Sequence, residues 1–166
     1  MVTADHDEIR EVASDYADAH EDLEISVLVL PADAPDMYEQ KLVIMLAAKE
    51  PPNLIVLPYS RFQFYASQGA LAPLDSIRDE VASAIPYGDR LMNGESDGHL
   101  YGIPHPSRSG ILAITAASHN RPDAIKLLLY IVNSLPFEPN VNDRLETPAT
   151  MYRTIREGAV DPAKSN

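Results

Sequence analysis

The chain has 166 residues, 45% of them hydrophobic and 23% charged, which is enough for one domain with a real core, short for two full lobes, and not a disordered composition. A net charge of -12, from 25 acids against 13 lysines and arginines, leaves no basic stripe to neutralise phosphates, and so argues against nucleic acid or an anionic membrane surface as a partner. The absence of cysteine removes disulfides, thiolate catalysis, Cys-type zinc sites and a lipobox, and leaves the compartment open.

Met1 to Glu11 is polar and acidic, with neither the basic n-region nor the apolar h-region of a signal peptide. From Asp5 to Ala19, the apolar residues Ile9, Val12, Ala13 and Tyr16 recur at helical spacing between acids and predict an amphipathic helix. Glu24 to Leu30 is a nearly continuous aliphatic run, the pattern of a strand covered on both faces, and Pro31 ends it. Pro35 to Lys49 predicts a second helix with proline in its first turn, stopped by Pro51 and Pro52. Asn53 to Leu57 is another buried strand, Arg61 to Gln68 a short helix, and Gly69 its cap, where a positive φ suits glycine.

Strand and helix in alternation describe a βαβ unit and a parallel sheet. Ser76 to Ile85 predicts a further helix, Tyr87 to Gly98 a polar loop, and His99 to Pro104 an extended piece. Ile111 to Ala117 reads as a strand, and Asn120 to Asn133 as a long helix burying Ala124, Leu127, Leu128, Ile131 and Val132. A modest helix is expected over Pro148 to Glu157, closing one α/β domain of residues 1–157 before a frayed tail over 158–166. Apolar runs such as Ile111 to Ala117 are far shorter than the roughly 20 residues of a membrane span.

Four segments in order carry a resemblance. Met37-Tyr38-Glu39-Gln40-Lys41-Leu42 runs through Leu46-Ala47-Ala48 to Pro52-Asn53-Leu54. Tyr65-Ala66 precedes Gly69-Ala70-Leu71-Ala72-Pro73-Leu74-Asp75. Then come Asp97-Gly98-His99-Leu100-Tyr101-Gly102-Ile103-Pro104, and Ile114-Thr115 with Ser118-His119-Asn120-Arg121-Pro122-Asp123-Ala124. Together they resemble landmarks of the extracellular solute-binding proteins of ABC importers, the carbohydrate binders among them, over residues 5 to 133. The resemblance implies a periplasmic-binding-protein-like α/β lobe, a mostly parallel sheet flanked by helices in three layers. It also implies a small polar ligand such as a sugar, an ABC permease as partner, and an extracellular or periplasmic place. Members of that family set a whole second lobe between the Tyr-Gly-Ile-Pro segment and the returning strand. Here only His105 to Gly110 lies between them, so the resemblance is to the first lobe alone, with its hinge bypassed.

Ligands of open α/β sheets sit beyond the carboxyl ends of strands, which points to the loops after Leu30, Leu57 and Pro104. Tyr59, Ser60, Arg61 and Gln63 combine an aromatic face with donors and acceptors, the chemistry of stacking on a sugar ring and bonding its hydroxyls. The plain alternative is a helix start capped by Ser60 with Arg61 in water. His105 and Arg108 flank a second candidate surface, and the alternative for them is a solvated turn.

The five histidines have no metal-ligand spacing, no cofactor motif is present, and Asp33, Asp36 and Asp75 read as helix caps. No P-loop, dinucleotide fingerprint or nucleophile elbow occurs, so the expectation is a binding protein and not an enzyme. The competing expectation is an interaction module, a homo-oligomer formed through apolar residues around Phe62, Phe64 and Tyr65, or a solute-binding remnant without transport activity.

Overall fold

The computed structural model describes residues 2–4, 7–30, 35–47, 51–85, 88–107 and 110–137. The helix expected over 148–157, the tail, Asp33 and Arg108 lie outside the described residues. In chain order the elements are β1 (Val2–Ala4), α1 (Asp7–Asp18), β2 (Leu28–Leu30), α2 (Pro35–Ala47), β3 (Leu54–Leu57), α3 (Tyr59–Ser67) and α4 (Arg78–Ala84). They continue with β4 (Glu95–Ser96), β5 (His99–Leu100), β6 (Gly102–Pro104), β7 (Ile111–Ile114) and α5 (Arg121–Ser134). Short 3-10 turns at Asp75–Ile77 and Gly88–Gly94 precede α4 and β4.

Five strands form one sheet in the order β2-β1-β3-β7-β6, and β4 and β5 make a separate hairpin. β1 pairs parallel with β2 and with β3, whereas β7 pairs antiparallel with both β3 and β6. The sheet is mixed: β1, β2, β3 and β6 run the same way and β7 runs against its two neighbours. A parallel pair needs a crossover of a dozen or more residues, and residues 105–110 are too few for one. β6 and β7 can only turn back on each other, and β7, lying between β6 and β3, runs against both.

Alternation along the strands sorts the core into two layers. Leu54, Val56, Leu112 and Ile114 pack with Ile9, Ala13 and Tyr16 of α1, Val81 of α4 and the apolar stripe of α5. Ile55, Leu57, Ile111 and Ala113 face the other way, against Leu42 of α2 and Phe62, Tyr65 and Ala66 of α3. Cross-strand partners such as Leu54 and Ile114, or Ile55 and Ala113, share a face, so the register and the burial pattern agree.

The segment from Gly69 to Asp75 staples these layers together. Gly69, at φ 68°, turns the chain out of α3. The Ala72 N–H then donates to the Ile114 carbonyl (2.8 Å) and the Leu74 N–H to that of Leu100 (2.7 Å), while Leu71 and Leu74 are buried. Gly102 fits for a different reason: a Cβ there would lie 2.2 Å from Ile111 Cγ2 and 2.9 Å from Phe62 Cε2. Only a residue without a side chain lets β6 pass under Phe62.

Candidate functional site

The register aligns the carboxyl ends of the forward-running strands. Ala4 pairs with Leu30, and Leu57 and Pro104 both face Ile111 across β7. The chain leaves this edge at Pro58 into α3 and at His105 into the connection to β7.

α3 begins two residues earlier than the hydrophobic pattern predicts, at Tyr59. Pro58 is its N-cap, and its carbonyl accepts from the N–H groups of Arg61 (2.9 Å) and Phe62 (3.2 Å). Ser60 is therefore an exposed residue of the first turn and not the cap. Tyr59 is half-buried, and its hydroxyl donates to Asn93 Oδ1 (3.4 Å). The Arg61 guanidinium pairs with Glu39 of α2 (2.9 Å), and Gln63 Nε2 donates to the Glu95 carbonyl (2.8 Å). Beneath this pair, burial and then the Glu39 carboxylate push the Tyr65 phenol up, against a smaller downward pull from Arg61. Sequence reasoning put Tyr59 and Ser60 in the loop after β3 and Arg61 and Gln63 on the helix that follows, and the structure places all four on α3. Three of the four, Tyr59, Arg61 and Gln63, already hold neighbouring elements.

His105 does not join that group. It is completely buried, accepts the Ser107 N–H at Nδ1 (3.3 Å), and its own N–H closes the turn on the Gly110 carbonyl (2.9 Å). A place on the surface, whether facing a solute or water, is thus corrected: Pro104 and Pro106 beside it are also buried and carry the ring inward. β7 separates the ends of β3 and β6, which puts His105 about 10 Å from Pro58, two strand spacings away. Ser107 Oγ donates to Glu8 Oε2 in the first turn of α1 (2.6 Å), which ties the start of this connection to α1.

Two features escaped the sequence reading. Asp75 is a cross-link and not a cap: its carboxylate accepts from the Leu100 N–H (3.1 Å), His99 Nδ1 (3.0 Å) and Arg78 (3.2 Å), and Arg78 also pairs with Glu95. The backbone bond from Leu100, with help from His99 and Arg78, holds the Asp75 carboxyl below its ordinary value, and Glu95 then Asp75 raise Arg78. The Asp97-Gly98 pair, a hairpin-turn signal, was the available clue that β4 and β5 exist to be held. The second feature is a cavity of about 220 Å³ at the opposite edge of the sheet, lined by Tyr16, Ile25, Asn53, Asn120, Asp123 and Leu127 among others.

Among the described residues no group of three or more His, Asp or Glu is placed to hold a metal ion. No helix among them is long and apolar enough to cross a membrane.

This mixed sheet with helices on both faces, its forward strands ending at a common edge, is a fold shared with part of several solved solute-binding proteins. The chain is similar to the galacto-N-biose/lacto-N-biose I-binding protein of an ABC transporter from Bifidobacterium longum, in complex with lacto-N-biose. The TM-score is 0.53 at 16% identity, over 64% of this chain and 28% of that one. An ABC substrate-binding protein from Listeria monocytogenes in complex with cycloalternan gives 0.52 at 21%, over 63% and 28%. A family 1 extracellular solute-binding protein from Bifidobacterium longum subsp. infantis gives 0.50 at 21%, over 62% and 26%. The chain thus spans little more than a quarter of the length of these proteins. No family model and no curated protein matches the sequence.

Proposed function

We propose that this chain is a solute-binding module, taking a small polar ligand such as a sugar or oligosaccharide at the carboxyl edge of its sheet. On this reading it serves an ABC permease outside the cell membrane and catalyses nothing. The observation that carries the reading is the likeness in fold to transporter-linked binding proteins holding lacto-N-biose and cycloalternan. The first turn of α3 supports it, since Tyr59, Ser60 and Arg61 offer a ring face, a hydroxyl and a planar cation at the edge where α/β sheets bind ligands. Gln63 and Arg108 complete the expected contacts. His105 enters the reading as a buried support for the connection and not as a first contact.

Half a cleft buries little of a ligand, so affinity should be on the order of millimolar unless a second wall closes over it. Titration of the 15N-labelled chain with mannotriose and lacto-N-biose tests this. Saturable amide shifts centred on residues 59–63, lost in Tyr59→Ala, are expected. Absence of any shift at tens of millimolar sugar, or shifts confined to the opposite edge, would remove the assignment.

A further inference from the structure

We propose that the outer face of α2 and α3 is where two copies of this chain meet, an inference independent of the solute reading. α2 is apolar on both sides. Leu42 is fully buried and Met45 and Leu46 pack partly against the core, yet Met37, Val43 and Ile44 face out, Ile44 at 61% exposure. On α3, Phe62 and Tyr65 point inward while Phe64 stands 55% exposed. The Arg61–Glu39 pair ties the two helices together, and helical spacing puts Val43, one turn beyond Glu39, and Phe64, three residues beyond Arg61, along the same seam. A helix with apolar residues all round normally has both sides covered.

Charge names the occupant. The chain carries -12, but α2 and α3 together hold Asp36 and Glu39 against Lys41 and Arg61, so this face is a neutral island on an acidic molecule. Two strongly negative copies meet with least repulsion where each is locally neutral. Because Glu39 and Arg61 already neutralise each other within each copy, the face brings no unpaired charge to a two-fold contact between identical surfaces. Size sets the strength. α2 is about 20 Å long and two helices are about 20 Å wide, a footprint on the order of 400 Å² per copy or about 800 Å² in all, which is below the range of stable specific interfaces and fits only a weak, reversible dimer.

Sedimentation equilibrium on the full chain over a wide concentration range tests the proposal. The weight-average mass should climb from 18.2 kDa toward twice that value, and added salt should strengthen association by screening the repulsion between copies. The pair Ile44→Glu with Phe64→Glu should weaken dimerisation at least about tenfold. Ser83→Glu, on α4 in the other layer, adds charge without touching the face and should leave it nearly unchanged. If the double glutamate variant loses its helical circular dichroism, Ile44→Ser with Phe64→Ser replaces it under the same expectation. A wild-type mass fixed at the monomer at the highest concentration overturns the proposal, and so does a dimer indifferent to both pairs of substitutions. A monomer that co-sediments with phosphatidylcholine vesicles overturns it as well and reassigns the face to lipid.

Discussion

The two helical layers bury similar stripes against one sheet and differ on the sides they turn to solvent. Residues 7–24, which include α1, carry eight acids and a single arginine around the inward residues Ile9, Ala13 and Tyr16. α2 and α3 carry two acids and two bases around Leu42, Phe62 and Tyr65, and leave Val43, Ile44 and Phe64 outside. Folding requires only the inward stripes. An acidic outer face is solubility chemistry, whereas an apolar neutral one adds nothing to solubility and is explained by contact with something else.

The largest effect should separate the inner and outer faces of α3. Phe62→Ala empties a fully buried ring site over β6 and should cost about 4 kcal/mol in urea unfolding. Phe64→Ala, two residues on and more than half exposed, should change stability by less than about 0.5 kcal/mol. Ile9→Ala in the other layer should resemble Phe62→Ala at about 3 kcal/mol, because both layers share the same strands. Equal costs at positions 62 and 64 would mean that the outer face is also covered within the monomer.

Next in size is Gly94→Ala. A Cβ at residue 94 would lie 1.8 Å from the Gly102 carbonyl oxygen, a backbone atom that cannot step aside alone. Pushing the 88–94 turn off β6 should cost about 2 kcal/mol. Amide exchange at Tyr101, whose N–H donates to the Gly94 carbonyl (2.9 Å), should accelerate with it.

Much of this fold was legible because it is written in local periodicity. α1, α2, α5 and β3 announce themselves by apolar spacing, and Gly69 by the end of a helical stripe. β1 was not legible: three residues, Val-Thr-Ala, become a strand only because β2 and β3 supply partners on both sides. Strand direction was missed for the same kind of reason, since nothing local says that β7 lies between β3 and β6. At the candidate site, the residue types on α3 could be read. Their engagements could not, because Gln63 meets Glu95 and Arg61 meets Glu39 across 32 and 22 residues of chain. Asp75 looked like a cap because helix starts favour aspartate, and its actual partner, the Leu100 N–H, is 25 residues away.

A smaller effect should come from acid. Asp75 has a folded pKa below its ordinary 3.8, so its contribution is complete above that value and is lost as pH falls through the lower folded one. Between neutral pH and about 5 nothing should change at this site. Toward pH 3 and below, exchange protection of the Leu100 amide should fall, and Asp75→Asn should show reduced protection already at neutral pH. Loss of protection at Leu100 already well above pH 5 would show that the Asp75 carboxylate is not what holds that amide.

The smallest effect on stability should be that of Arg61→Ala, and it bears on both faces of the argument. The Arg61–Glu39 pair is largely in water, with the two side chains 55% and 34% exposed, and such pairs contribute about 0.5 kcal/mol or less. Removing the guanidinium also removes the influence that lowers the Tyr65 phenol, leaving burial and Glu39, so that phenol should titrate at higher pH by tyrosine NMR. If Arg61 is a solute contact, the variant should lose sugar-dependent amide shifts while keeping its unfolding midpoint. A large stability loss with unchanged sugar shifts would make Arg61 a strut between α2 and α3 and leave Tyr59 and Ser60 to carry the solute reading.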